Sequence, residues 1–176
     1  MRNITCNEAT IVKGIEQAKE YGSGFPEHRQ SKGLLGMFMH DVLGKTMGLT
    51  THLKKNITGK DGNRLTPYAC TTFPGSNNEC DIIGTFSIGM HKKGWDSTYP
   101  YTIKQEKIDH LKTFMNASGA RIGILAGETR NEGLLLRFYT KKGNDIERSK
   151  FSIDASRNKK ITTDDAQGLC NLIRNA

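Results

Sequence analysis

Apolar residues recur at helical spacing in four segments of the chain. The first helix is predicted over residues 8–21, the second from a cap at Ser31 through the sequence KGLLGMFMHDVLGKTMG, and the third over residues 102–119. The fourth helix is predicted to begin at Thr162, where Asp165 stands at the position that completes a capping box. The glycines of the second helix each cost about 1 kcal/mol relative to alanine, so we expect another part of the backbone to approach that helix closely.

Between the second and third helices the pattern becomes that of β-strands. A turn at residues 60–63 and a β-rich run at 65–73 predict a hairpin or two strands, and residues 80–90 predict a central strand pair. A bend in that pair is expected near Gly84 or Gly89. After the third helix, strands are predicted over residues 121–127 and 133–140, with a shorter one over 150–154.

The chain length and the order of these elements define the expected fold class. A chain of 176 residues buries a hydrophobic core without disulfides or a structural metal, and the sequence contains no internal repeat or linker. We predict one domain over residues 1–176, with an α+β (α/β/α-like) fold in which helices flank a central mixed β-sheet. The sequence contains neither a membrane-span pattern nor an apolar signal core, so a cytoplasmic protein without membrane contact is expected.

The charge of the chain favours a polyanionic partner. Lysine and arginine number 26 against 18 aspartates and glutamates, which gives a net charge of +8 and a pI near 9.4. The excess is distributed in small groups rather than concentrated in one tail, which favours a basic groove over a disordered basic arm.

The four cysteines give no sign of a redox motif or a zinc site. Cys6, Cys70, Cys80 and Cys170 form no CxxC pair, and no histidines stand at zinc-finger spacing. We expect reduced and mostly buried thiols.

Motifs for several enzyme classes are missing from the sequence. The glycine–lysine pairs at 44–45 and 59–60 lack the upstream glycine of a phosphate-binding loop, and GxSxG, HExxH and GxGxxG do not occur. No nucleotide cofactor is therefore expected. The five histidines are scattered, and each is more typical of a surface or packing residue than of a ligand.

The sequence contains one set of residues with the chemistry of a catalytic site, namely Asp81, Lys92 and Glu106. Asp81 borders an apolar strand, where a buried carboxylate needs a partner, and Glu106 stands in the first turn of the third helix. Two such oxygen ligands suit Mg²⁺, and a lysine between them would orient a metal-bound water. The alternative is structural: Asp81 begins a strand, Lys92 lies on the surface, and Glu106 interacts with the helix dipole.

At these residues the sequence resembles the PD-(D/E)XK nuclease superfamily, which has the restriction-endonuclease-like fold. The sequence KGLLGMFMHDVLG, beginning at Lys32, resembles the KGxxG helix of the mismatch-repair nickase MutH and related restriction enzymes. The sequence YPYTIKQEKIDHL, followed by GARIGILAG, resembles the helix and strand after the active site of RecU-type junction resolvases. This family has a helix, a mixed sheet with Asp and then Glu-x-Lys, a second helix and a further strand, and the predicted order matches.

Two positions depart from the family pattern. His40, with Asp41 beside it, occupies the position of a catalytic glutamate in the KGxxG helix, and Met90 occupies that of the glutamate in Glu-x-Lys. One subgroup of restriction enzymes supplies this second acid from the following helix, and Glu106 fits that variant by its distance after Lys92.

The resemblance implies a metal-dependent DNA endonuclease of the restriction, repair or junction-resolving type. Mg²⁺ or Mn²⁺ would be held by Asp81, Glu106 and the carbonyl of His91, with assistance from His40 or Asp41. Lys92 would orient the attacking water. The expected DNA contacts are Lys93, Trp95, Lys104 and Lys107. A homodimer would supply the second active site that cutting both strands needs.

The departures at Met90 and His40 favour a second hypothesis from a different class. The protein would then be a non-catalytic nucleic-acid-binding or nuclease-inhibiting protein on a degenerate nuclease-like fold.

Overall fold

The structure is a computed structural model, and it describes residues 4–26, 29–58, 62, 64–87, 105–128 and 134–176. Its helices are α1 (Glu8–Ser23), α2 (Gln30–Met37) with a π-helical continuation (Phe38–Thr46), α3 (Gln105–Ser118) and α4 (Thr163–Arg174). All four predicted helices are confirmed. The described helices include none with the length and apolar composition needed to span a membrane.

Local signals account for the ends of these helices. The capping box at the start of α4 is present, because the Thr162 amide donates to Oδ2 of Asp165 at 2.9 Å. Gly119 directly follows α3 and has φ of +81°, a conformation that favours glycine and ends the helix.

The strands are β1 (Thr50–Leu53), β2 (Ile57–Thr58), β3 (Arg64–Leu65), β4 (Ala69–Thr72), β5 (Ile82–Phe86), β6 (Ile122–Glu128), β7 (Leu134–Lys142) and β8 (Asp145–Asp154). Six of them form a mixed sheet in the order β1-β4-β5-β6-β7-β8. Neighbouring strands are antiparallel except β5 and β6, which run parallel and have α3 in the connection between them. The strands β2 and β3 form a separate antiparallel pair. The prediction of an α+β fold with helices flanking a central mixed sheet is confirmed.

Two of the predicted strand regions are different in the structure, and one is as expected. In place of a bent strand pair, the described residues form one strand, β5, which continues through Gly84 in unbroken register with β4 and β6, and this glycine lies directly against Sδ of Met39 on the π-helical segment; Gly89 is outside the described residues. The run 65–73 contributes to two strands, β3 and β4, and β3 pairs with β2, so the prediction of a hairpin or two strands in this region is confirmed. The strand β8 is twice as long as expected, because its polar residues pair with β7 at the edge of the sheet.

The core has two parts, one on each face of the sheet. On one face, side chains of α1, α2 and α4 pack against Ile82, Ile124 and Ala126. On the other face, Leu111 and Met115 of α3 pack against alternate residues of the same strands. The sheet therefore lies between two helical layers, as the α/β/α-like prediction requires.

The prediction of reduced thiols is wrong in this structure. Cys6 pairs with Cys170, and Cys70 pairs with Cys80, at Cα–Cα distances of 6.2 and 5.6 Å. Burial was predicted correctly for Cys70, Cys80 and Cys170. The sequence could not give the pairing, because it depends on which elements the fold places side by side.

Candidate functional site

Asp81 is buried, and its carboxylate is occupied by hydrogen bonds from the turn that precedes it. Its exposure is 1%. The amide of Phe73 donates to Oδ2 at 2.8 Å, and the Ser76 hydroxyl and the Asn78 side-chain amide donate to Oδ1 at 2.9 and 3.0 Å. Asp81 therefore holds the turn between β4 and β5 in place. The partner that this buried acid requires is therefore supplied by hydrogen-bond donors of the protein itself.

The fold does not bring Asp81 and Glu106 together. Glu106 is in the first turn of α3, whereas Gly119, at the other end of this helix, lies against Asn78 in the turn that Asp81 organises. A helix rises about 1.5 Å per residue, so Glu106 is about 20 Å from that turn. Magnesium ligands lie only about 2.0–2.1 Å from the ion, and one ion cannot join these two carboxylates.

The described residues do not fit the expected magnesium site. The described part of the chain contains no group of three or more histidine, cysteine, aspartate or glutamate side chains close enough to hold a metal. The donors around Asp81 are N–H and O–H groups, which occupy the positions that a cation would take.

Most of the other expected site residues lie in the segment 88–104, outside the described residues. These are His91, Lys92, Lys93, Trp95 and Lys104, and their roles stay predictions, as does the significance of Met90. Lys107 is described and stands half-buried in the first turn of α3, beside Glu106.

His40 and Asp41 are neighbours both in sequence and in space. Nδ1 of His40 is 2.7 Å from Oδ1 of Asp41, and His40 is exposed. His40 lines a groove of about 280 Å³ that we call the aromatic–basic groove. Its lining residues come from α1, the connection between α1 and α2, α2, the π-helical segment, β1 and the residue before β4, and they are Tyr21, Phe25, Arg29, Lys32, Gly33, Gly36, Met37, His40, Leu53 and Tyr68.

The glycines of the KGLLG sequence allow two aromatic rings to lie against α2. A Cβ atom on Gly33 would come within 2.6 Å of the Phe25 ring, and one on Gly36 within 2.9 Å of the Tyr68 hydroxyl. A close approach at these glycines was expected, and it is made largely by aromatic side chains rather than by backbone. Because α2 has glycine at positions 33 and 36, the two rings can pack against it and form two walls of the groove.

Lys32, between these glycines, places its ammonium group over aromatic rings. Nζ of Lys32 is 5.5 Å from the ring centre of Tyr68 and 6.0 Å from that of Phe86. These two rings meet edge to face with centres 5.3 Å apart. The rings attract the cation and fix its position at the side of the groove.

Tyrosine side chains give the groove both a neutral hydroxyl and an exposed ring. Burial raises the pKa of Tyr68, and the neighbouring Tyr21 raises it further, so the Tyr68 hydroxyl remains protonated at physiological pH. Among the described residues, Tyr21 and Leu53 are the large hydrophobic side chains that remain exposed, at 48% and 46%, and both line this groove. Exposed apolar side chains at a concave surface make this groove a candidate ligand site.

A second acid, Glu128, was not recognised in the sequence. It ends β6 with an exposure of 3%, and it shares its face of the sheet with Ile124 and Ala126, toward α2. The Ser87 amide donates to the Ala126 carbonyl, so the chain leaves β5 beside the end of β6. The sequence signal for Glu128 is an acid that directly ends an apolar strand.

Comparisons of the chain with protein-family models, curated proteins and solved structures find no significant match.

Proposed function

We propose that the protein binds DNA and that the aromatic–basic groove holds an unpaired nucleotide. The observation that carries this proposal is the exposed ring of Tyr21 at the mouth of a groove whose other walls carry Arg29, Lys32 and Tyr68. The ring offers a stacking surface for a base, and the two cations attract the adjoining phosphate. Proteins that bind single strands combine these same two elements.

The size and the electrostatics of the groove support a nucleotide as its ligand. At about 280 Å³, the groove is near the lower end of the roughly 300–1,000 Å³ that small-molecule sites occupy. Arg29 is exposed and free to reach a phosphate, whereas Lys32 is half-buried and fixed by Tyr68 and Phe86. The net charge of +8 attracts the DNA strand as a whole.

The proposed fold type is a degenerate restriction-endonuclease-like fold. This proposal is supported by the chain order of the elements: α1 and α2, the antiparallel strands β1, β4 and β5, the helix α3, and the strand β6 parallel to β5. The KGxxG helix lines the groove. Because Asp81 is committed to its turn and Met90 and His40 depart from the catalytic pattern, binding without cleavage is the function that the described residues support best.

A Mg²⁺- or Mn²⁺-dependent endonuclease is the second candidate, and Glu128 is the observation that favours it. This acid lies at the edge of the sheet where the chain leaves β5 toward the segment containing Lys92. Glu128, rather than Asp81, is therefore the acid whose substitution tests for DNA cleavage.

The binding proposal is tested by fluorescence anisotropy with a labelled single-stranded DNA. Tyr21→Ala removes the stacking surface and is expected to weaken binding about tenfold, since stacking on one aromatic ring contributes about 1–3 kcal/mol. Tyr21→Phe keeps the ring and is the matched control. Lys32→Gln should also weaken binding, whereas Lys13→Gln, an exposed lysine on α1, should have little effect.

The outcomes separate the two functions. Equal binding by Tyr21→Ala, Lys32→Gln and the wild type contradicts the groove as the binding site. Conversion of supercoiled plasmid with Mg²⁺ by the wild type but not by Glu128→Gln would establish the endonuclease instead. A plasmid left intact, together with a loss of binding in the groove variants, supports a binding protein.

A further inference from the structure

A second groove lies at the opposite edge of the sheet, and basic residues dominate it. We call it the β8 groove; it has a volume of about 670 Å³. Its lining residues come from the start of β6, the β7–β8 hairpin and α4, and they are Arg121, Thr140, Lys141, Lys142, Glu147, Arg148, Ser149, Lys150, Phe151, Gly168, Asn171, Leu172, Asn175 and Ala176.

The hydrogen bonds of the sheet position the cations of this groove. The Lys141 amide donates to the Arg121 carbonyl at 2.9 Å, and Nη2 of Arg121 donates to the Lys141 carbonyl at 3.4 Å. Arg148 faces Tyr139 in the pairing of β7 with β8. Lys141, Lys142, Arg148 and Lys150 therefore lie on paired strands of the sheet, and Arg121 lies directly before β6.

Positive charge exceeds negative charge along this groove. Five of its lining residues are basic and one, Glu147, is acidic. Glu147 lies 3.6 Å from Lys142, both of them exposed, so this pair contributes little net charge. The carboxyl end of α4 adds a partial negative charge, which is smaller than that of the remaining cations.

The aromatic residue of the β8 groove does not offer a stacking surface. The Phe151 ring packs against Gly168 of α4, and its centre is 5.2 Å from that of the buried Phe138. Asn171 and Asn175 add polar groups beside the cations. A surface of fixed cations and amides without a free ring matches the phosphates of a nucleic-acid backbone rather than its bases.

We infer that the β8 groove binds the phosphate backbone of a DNA duplex, as a site separate from the aromatic–basic groove. The strands β1 and β8 are the two edges of the sheet, five strand spacings apart, which is about 24 Å. One nucleotide cannot contact both surfaces. This duplex site goes beyond the proposed binding of an unpaired nucleotide and does not depend on it.

The test uses Arg148→Gln combined with Lys150→Gln, which removes two exposed cations of the β8 groove. The matched control, Lys13→Gln combined with Lys160→Gln, removes the same charge from exposed positions outside this groove. Binding of a blunt, fluorescein-labelled DNA duplex is measured by anisotropy over a range of salt concentrations. Thermal melting checks that each variant is folded.

The groove variant is expected to bind the duplex about tenfold more weakly at low salt. The slope of log K against log salt, which is negative, should become less steep by about 1.8, or about 0.9 for each phosphate contact. Arg148→Lys combined with Lys150→Arg keeps both charges and should bind like the wild type. Equal duplex binding by the Arg148→Gln/Lys150→Gln variant and the wild type overturns the inference. An equal loss in the control variant also overturns it, because total charge would then explain the binding. Tyr21→Ala should leave duplex binding unchanged, so a failure of the aromatic–basic groove is distinguishable from a failure of this site.

Discussion

Replacing Asp81 by alanine tests whether this acid is structural or catalytic. The substitution removes the acceptor of three hydrogen bonds, from the amide of Phe73, the hydroxyl of Ser76 and the amide of Asn78. The Phe73 amide is inside the protein, whereas Ser76 is half-buried and Asn78 is exposed. Only the first of these donors is therefore kept from water when its acceptor is lost.

The size of the effect follows from this difference. A hydrogen bond to a charged group contributes about 1.5–3 kcal/mol, and a buried donor left without its acceptor costs about 1–3 kcal/mol. We assign about 2 kcal/mol to the Phe73 amide and about 0.5 kcal/mol to each of the two donors that water can reach. The free energy of unfolding should fall by about 3 kcal/mol, which for a chain of this length lowers the melting temperature by about 6–12 °C.

Thermal melting measures this loss of stability. Non-reducing conditions are used because the disulfide Cys70–Cys80 spans the same turn and must stay formed. Glu79→Ala is the matched control: Glu79 is exposed, and its carboxylate accepts a hydrogen bond from the Thr58 amide at 3.1 Å. Its melting temperature should change by less than about 4 °C. A variant Asp81→Ala that melts like the wild type but loses a Mg²⁺-dependent cleavage activity would refute the structural role and restore the catalytic one.

Three further changes test other parts of the structure. Gly33→Ala places a methyl group where the Phe25 ring lies, so melting should show a loss of about 1–3 kcal/mol and single-strand binding should weaken; unchanged melting would contradict the close contact. Because the pKa of Tyr68 is raised in the folded state, the contribution of its neutral hydroxyl to stability is complete below a pH of about 10 and is lost as the pH rises through the raised value. The melting temperature of Tyr68→Phe should therefore fall less at alkaline pH than that of the wild type. An equal fall in both proteins would refute this. Single-serine variants open each disulfide in turn. Loss of Cys6–Cys170, with a sequence separation of 164, should lower the free energy of unfolding by about 5 kcal/mol, whereas loss of Cys70–Cys80, with a separation of 10, should lower it by about 3 kcal/mol. Equal losses in the two kinds of variant would count against the pairing.

The helices were predictable from the sequence because the signals that define them are local. The capping box of Thr162 and Asp165 lies within four residues, and Gly119 ends α3 through its own backbone conformation. The apolar stripes of α1 and α4 repeat every three or four residues, and they face the core as predicted. None of these features depends on a distant part of the chain.

The candidate site was less predictable, because its parts are distant in sequence. The sequence KGLLG was recognised as a motif, but the ring beside Gly36 belongs to Tyr68, and Lys32 is fixed by Tyr68 and Phe86. Which aromatic residues reach a helix depends on strand pairing. The partners of Asp81 were not predictable for the same reason. The apolar residues next to Asp81 in the sequence predicted correctly that this buried acid needs a partner, but they did not show that three donors of its own turn serve as that partner.

The direction of β5 supports the choice of the aromatic–basic groove, rather than Asp81, as the proposed binding site. Ligand sites in open sheets form beyond the carboxyl ends of parallel strands, and in the described sheet the parallel pair is β5 with β6. Asp81 precedes β5 and therefore lies at the amino end, where it closes a turn. Phe86 ends β5 and Glu128 ends β6, and Tyr68, just before the antiparallel β4, meets Phe86 at the same edge. The acid that the sequence pattern selected thus stabilises one end of the sheet, and the opposite end carries the exposed ring, the fixed cation and the second acid on which binding or cleavage would depend.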